Sequence, residues 1–257
     1  MTETDLPPRL TRLTFHGPLS EARAARIVER LGRAAPARVL DIGCGWGELM
    51  LRVLDAVPGT TGIGIDLNGK DLARGRANAA ARALSGRVEF VEGSAVDTSH
   101  GPADLVLCLG ASHALSDEEP PRHTADALRA LRRIVTPGGR VLLAEAFWQR
   151  SPTSAELAAM WPDARADEHH DLAGLVDVAV AAGFRPLWIE TADEDEWEDF
   201  ESGYQSDVEE WLATHPDHPL AQETRERVDQ HRASWLRGYR GVLGMAYLTL
   251  IPVDGTA

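Results

Sequence analysis

The chain reads as an α/β protein, a doubly wound and mostly parallel sheet covered by helices on both faces. Three observations predict this. Short runs rich in Val, Ile and Leu alternate with longer stretches of helical periodicity from residue 20 onward. The first run, 38–42, leads straight into Gly43-Cys44-Gly45-Trp46-Gly47. The runs end in acidic or small polar residues, which right-handed crossovers gather on one edge of the sheet, where such folds bind ligands. Asp41, Asp66, Ser94, Gly110 and Glu145 are the residues gathered there.

In order, residues 1–20 form an irregular arm, broken by Pro7, Pro8, Gly17 and Pro18, with Leu13, Phe15 and Leu19 to dock it. Ser20 caps a helix to Gly32 whose buried face is Ala25, Ile27, Val28 and Leu31. After the first strand, Trp46 and Glu48 alternate outward from the turn. A helix then starts near Gly47 with Leu49, Leu51, Val53 and Leu54. Residues 61–66 are the second strand, followed by a helix carrying Leu72, Ala73, Ala77, Ala80 and Leu84. Val88, Phe90 and Val91 make the third strand, before Gly93-Ser94-Ala95. The fourth strand is 104–109, ending at Gly110-Ala111-Ser112-His113. A helix with Ala125, Leu128, Leu131 and Ile134 leads to the turn Pro137-Gly138-Gly139 and a fifth strand at 141–147. Beyond it come a helix at 171–183 and a sixth strand at 185–191. Trp197, Phe200, Tyr204, Val208 and Trp211 draw one apolar stripe down an acidic helix. A helix at about 220–237 and a last strand at 242–251 close the chain.

With 257 residues, we expect one domain over 1–257, made of an arm and helix at 1–35, a core at 36–150 and a helical insertion at 195–240. The formal net charge of −14 repels phosphate backbones, and the arginines are dispersed, so nucleic acid is not an expected partner. No apolar run approaches the ~18 residues of a membrane span, and the first residues lack a secretion signal, so the expectation is a cytoplasmic protein with no membrane partner. Two cysteines, Cys44 and Cys108, imply no disulfide framework and read as small core residues. Glu168, His169, His170 and Asp171 do not repeat at metal-ligand spacing, nor do His215 and His218, so no metal is expected. The acidic run 193–201 reads as solvated surface.

The glycine spacing separates cofactor classes. A dinucleotide loop has the form G-x-G-x-x-G, whereas Gly43, Gly45 and Gly47 give G-x-G-x-G, with Asp41 two positions upstream. Asp66 follows about 20 residues later, where an acid on the second strand holds ribose hydroxyls.

Val39-Leu-Asp-Ile-Gly-Cys-Gly-Trp-Gly47 resembles the first motif of the class I S-adenosylmethionine-dependent methyltransferases. Asp66 stands where that family has its ribose-binding acid, Glu92-Gly-Ser-Ala95 is similar to its adenine-binding turn, and Pro137-Gly-Gly139 to the turn before its fifth strand. The region containing Trp211 and Tyr239 further resembles a group of small bacterial methyltransferases. The resemblance implies a Rossmann-like seven-stranded sheet of order 3-2-1-4-5-7-6 with the last strand antiparallel, and S-adenosyl-L-methionine as cofactor with S-adenosyl-L-homocysteine as product. It places Asp41, Gly43, Cys44, Gly45, Gly47, Asp66, Leu67, Ser94, Ala95, Leu109 and Gly110 around the cofactor. Ser94 stands where the family often has an acid, a neutral and shorter acceptor for the adenine amino group.

The implied activity is in-line methyl transfer to oxygen, nitrogen or carbon of a small molecule, with the protein positioning the reactants and handling one proton. His113 and Glu145 are the candidate catalytic groups. Phe15, His16, Trp148, Tyr204, Trp235, Tyr239 and Arg240 are the candidate substrate contacts, with the arm and the 195–240 insertion as lids. The rivals are a non-catalytic protein that binds the same cofactor and an NAD(P)-dependent oxidoreductase, which the spacing disfavours. Monomer and homodimer both stay open.

Overall fold

The structure, a computed structural model, describes residues 6–253. Strands β1 (Arg38–Ile42), β2 (Thr61–Asp66), β3 (Val88–Glu92), β4 (Ala103–Leu109), β5 (Val135–Trp148), β6 (Phe184–Thr191) and β7 (Leu243–Pro252) form one sheet of order β3-β2-β1-β4-β5-β7-β6. β7 runs antiparallel between β5 and β6, and the other pairings are parallel. This is the expected order.

The central strands are apolar throughout because helices cover both faces. On one side α1 (Glu21–Gly32), α2 (Glu48–Ala56) and α3 (Gly69–Ala81) pack Ile27, Leu31, Leu51 and Leu72 over Val39 and Leu105. On the other, α4 (Arg122–Ile134) and α6 (Leu172–Ala181) set Leu128, Leu131 and Leu175 on Leu40, Val106 and Leu143. Ser20 accepts from the Arg23 N–H and caps α1, as expected, but Ala24 and not Ala25 lies on its buried face. On α3 the buried positions are Asp71, Leu72, Gly75 and Ala79, while Ala73, Ala77 and Ala80 face out.

Other expectations need correction. The turn 137–139 is an excursion inside the longer β5: Ala103 pairs with Val135 and Leu105 with Arg140, so 136–139 bulge out, with Gly138 at φ +75°. A short α5 (Ser154–Ala159) has no apolar periodicity, and its only sequence signal is the Thr153/Glu156 capping box. β6 is an edge strand whose Leu187, Trp188 and Ile189 are about half exposed. Arg30 covers Trp188 at 4.4 Å.

Between β6 and β7 the chain makes α7 (Glu194–Thr214), α8 (Ala221–Ser234) and a π-turn (Trp235–Tyr239). The acidic start of α7 is not simply solvated surface. Glu196 is buried and receives Arg23 Nε at 2.9 Å, Arg23 Nη2 at 2.7 Å and Ser20 Oγ at 2.6 Å. Burial alone would raise its pKa, but these bonds hold its carboxyl down at about 2. Glu201 is equally buried and accepts from Tyr239 Oη at 2.8 Å, with His231 Nε2 also at 2.8 Å.

Candidate functional site

The organising turn follows β1. Gly43, Gly45 and Gly47 have φ of +60°, +55° and +64°, a region that side-chain-bearing residues avoid. A Cβ on Gly43 would stand 2.4 Å from the Ala111 Cβ, so the turn also lies hard against the segment after β4. Gly47 begins α2 and packs beneath the Phe90 ring, away from the ligand space. Trp46 and Glu48 do not point outward. Trp46 is buried under the arm, donates from Nε1 to the Thr14 carbonyl at 2.7 Å, and stacks on His16 at 5.2 Å. Glu48 is buried beneath Arg52 and Arg82.

In front of the turn is a cavity of about 580 Å³, within the range of small-molecule sites. Asp41, Gly43, Cys44 and Gly45 line its floor, and Asp66 and Leu67 one side. Ser94 and Ala95, then Leu109 and Gly110, complete the set drawn from the ends of β3 and β4. Asp66 is oriented by two backbone donors, Gly45 N–H to Oδ2 and Asn68 N–H to Oδ1, each at 2.8 Å. Each oxygen keeps acceptor capacity for a further donor. Leu67 is 75% exposed at the rim, an apolar face with no protein neighbour to cover it. The Ser94 hydroxyl already accepts from the Val96 N–H at 3.1 Å, which closes its turn.

The cavity is acidic. Asp41 is buried and, through that burial and then the charge of Asp66, its pKa is pushed up to about 8. Asp71 and Asp117 also line it, against one arginine, Arg9, which is held by Asp71 through Nη1 at 2.6 Å and Nη2 at 3.2 Å. A buried carboxyl beside other carboxylates fits a ligand that brings a cationic group. Burial raises the Cys44 thiol well above its usual range, so Cys44 acts as a neutral lining group, and both cysteines are free.

Of the catalytic candidates, His113 lines the cavity from a 3₁₀ turn (Ser112–Leu115). Glu145 does not. It is buried behind that turn, with Oε2 unpartnered, and burial pushes its pKa up to about 7 against hydrogen bonds from Ser112 and the Ala146 N–H. Phe15 and His16 line the cavity; burial first of all lowers the His16 pKa and so favours the neutral ring. The other substrate candidates lie elsewhere. Trp148 stacks on Trp161 and donates to the Ala166 carbonyl at 2.9 Å. Trp235, Tyr239 and Arg240 surround a small separate cavity, and Arg240 is paired with Glu194 at 2.7 Å. Tyr204 faces another space altogether.

The 195–240 insertion thus contributes no lining to this cavity, contrary to its expected role as lid. Its roof is the arm, with Met245 and Tyr247 of β7. The insertion instead straps the arm down. Thr11 donates to Asp207 from its N–H at 2.8 Å and its hydroxyl at 2.7 Å, and Leu13 packs against Gly203. Arg74 holds the arm's Leu10 and Leu13 carbonyls from the other side, and Tyr247 Oη holds Pro18. Arg9, Asp71, Asp117, Met245 and Tyr247 are among the lining residues that sequence reading missed, and none sits in a motif with local spacing.

Comparison with known proteins gives this geometry a context. Residues 39–139 match a family model described as a methyltransferase domain. A protein of Escherichia coli (strain K12), YjhP, is 27% identical over 238 residues, 92% of this chain and 93% of its own. The structure of an S-adenosylmethionine-dependent methyltransferase from Geobacter sulfurreducens, in complex with S-adenosyl-L-homocysteine, superimposes with a TM-score of 0.81 at 25% identity, covering 96% of this chain and 98% of that one. One from Thiobacillus denitrificans, in the same kind of complex, gives 0.81 at 26% identity over 96% and 99%.

Proposed function

We propose that the chain, whose fold and matched domain are those of class I S-adenosylmethionine-dependent methyltransferases, moves the methyl group of S-adenosyl-L-methionine to an oxygen, nitrogen or carbon atom of a small-molecule acceptor. The observation that carries this reading is the buried Asp41 behind a positive-φ glycine turn, in a cavity rich in carboxylates. The cofactor brings two positive groups, an ammonium and a sulfonium, which such a cavity suits. The Gly43–Gly45 backbone and Asp41 would hold its amino-acid part, and the two oriented oxygens of Asp66 its ribose hydroxyls. Leu67, Ser94 and Ala95 would face the base.

Bound there, the cofactor supplies a methyl group already activated on sulfur, so the protein's share is positioning, dryness and one proton. The arm supplies the dryness. Phe15 and Tyr247 close the cavity from above, and the Thr11–Asp207 and Trp46–Thr14 bonds keep the arm seated. His113 is the group we assign to the acceptor proton, taken on a ring nitrogen, and the neutral His16 ring orients the acceptor from the arm side.

Calorimetry tests the cofactor: S-adenosyl-L-homocysteine should bind, and binding of NADH in its place would refute the reading. Incubation with methyl-labelled cofactor and a small-molecule extract of the source cell tests the activity. A labelled acceptor is expected, and its absence with binding intact would make the protein a binder without catalysis. His113→Ala should lower turnover by about 10²-fold or more with cofactor affinity kept, and equal loss of both would count against a proton-transfer role.

A further inference from the structure

A second cavity, of about 470 Å³, lies between the arm and the α7–α8 hairpin, and Arg9 lines both it and the first. About half of its wall is apolar: Leu6 and Leu10 from the arm, Val208, Leu220 and Val228 from the hairpin, and the Tyr204 ring. The size and the mixture of apolar wall with a few polar groups are those of a ligand site rather than a packing defect.

The polar groups say what kind of ligand. Gln205 is buried, its Nε2 reaches the Glu201 carbonyl at 3.5 Å, and its Oε1 has no partner among the described residues. A buried acceptor without a donor is costly and marks a place where a ligand donor would be welcome. His231 is already engaged with Glu201, and Arg9 with Asp71. The remaining charges, Glu223 and Arg227, are of opposite sign, so the lining favours neither anion nor cation. The first cavity must house a nucleoside and an amino acid, which leaves the bulk of an acceptor to find adjoining space.

We propose that the second cavity anchors the methyl acceptor, an uncharged, mostly apolar molecule bearing a hydrogen-bond donor such as a phenolic hydroxyl, with Arg9, which lines both cavities, between its anchored end and the cofactor. The acceptor role rests on the methyltransferase reading, while the site itself does not. Arg9, bonded across to Asp71, is then the one side chain that senses both ligands.

The test uses the full chain, with 1-naphthol and its methyl ether as probes followed by calorimetry. Naphthol should bind, and Val208→Trp or Leu220→Trp, which fill the space, should each weaken it by about tenfold or more. Gln205→Leu should weaken naphthol by roughly fivefold and leave the ether unchanged. S-adenosyl-L-homocysteine affinity should survive all three variants, which also reports that they fold. No naphthol binding, or binding indifferent to both tryptophan variants, overturns the site. Equal effects of Gln205→Leu on both probes overturn the donor requirement. For the acceptor role, saturating S-adenosyl-L-homocysteine should change naphthol affinity at least about threefold, and Arg9→Ala should abolish that coupling. Independent binding of the two overturns the acceptor assignment. Failure of the wild type to bind S-adenosyl-L-homocysteine sinks the methyltransferase reading, and naphthol binding still judges the cavity.

Discussion

Protonation of Asp41 should make cofactor affinity depend steeply on pH. In the free protein burial, helped by the charge of Asp66, raises its pKa to about 8. The ammonium of the ligand's amino-acid part, which S-adenosyl-L-homocysteine shares with the cofactor, favours the carboxylate, so binding below pH 8 must expel a proton. At pH 6 the protonated fraction dominates roughly 100 to 1, and at pH 8 the two forms are equal. With the bound carboxyl fully ionised, affinity therefore rises about 50-fold between pH 6 and pH 8, ~2.3 kcal/mol at 1.36 kcal/mol per unit. The assay is titration calorimetry with S-adenosyl-L-homocysteine at pH 6, 7 and 8, each in two buffers of different ionisation enthalpy. At pH 7 about 0.9 proton should be released per ligand bound. Asp41→Asn should flatten the profile and weaken binding at pH 8. An affinity constant across this range, or proton uptake on binding, would refute the assignment of Asp41 as the cation's partner.

Three further outcomes follow from the same geometry. Glu145 has a folded pKa of about 7 against 4.5 unfolded, so its burial costs stability as pH rises from 4.5 through 7. Glu145→Gln should raise stability by about 3 kcal/mol above pH 7, roughly 8 °C in Tm, and by nothing at pH 4; calorimetric melts with no gain at pH 8 would contradict this. Glu196 is the opposite case. Its folded pKa of about 2 stabilises the protein above pH 4.5 and ceases to do so as pH falls toward 2. Glu196→Gln should cost about 2 kcal/mol at pH 7, after discounting for solvent screening, and denaturant melts should show the gap closing progressively as pH falls from 4.5 to about 2. Gly43→Ala should lose about 3 kcal/mol, from the positive φ and the 2.4 Å approach to Ala111. Adding Ala111→Gly should recover all but about 1 kcal/mol of it; thermal melts in which the double variant is no better than the single would refute the clash.

Much of the fold is legible because its signals are local. A strand that ends at Asp41, a turn that needs positive φ at positions 43, 45 and 47, and a second strand that ends at Asp66 are each written within a few residues. Where side chains obey a partner distant in the chain, the reading goes astray. Trp46 belongs to a turn but is covered by the arm some 32 positions earlier, and nothing beside it in sequence announces the cover. Glu48 sits in an apolar helix start as a buried acid because Arg82 reaches it from 34 positions away.

The division is sharpest over the roof of the site. By itself the amino-acid sequence determined the element order, the glycine turn, the two acids and hence the class of cofactor. The stripe of Trp197, Phe200, Tyr204 and Trp211 also told that one face of α7 is covered, since helical period reports burial. It did not tell by what. Only the tertiary structure seats Phe200 and Tyr204 against Leu10 and Leu13, so that the arm roofs the cavity and the insertion buttresses the arm. The same holds for the acidic run, where Glu196 is buried because Arg23 arrives from 173 positions away. Periodicity and turn chemistry are properties of neighbours in the chain, whereas the partner of a buried face or charge is chosen by packing in space.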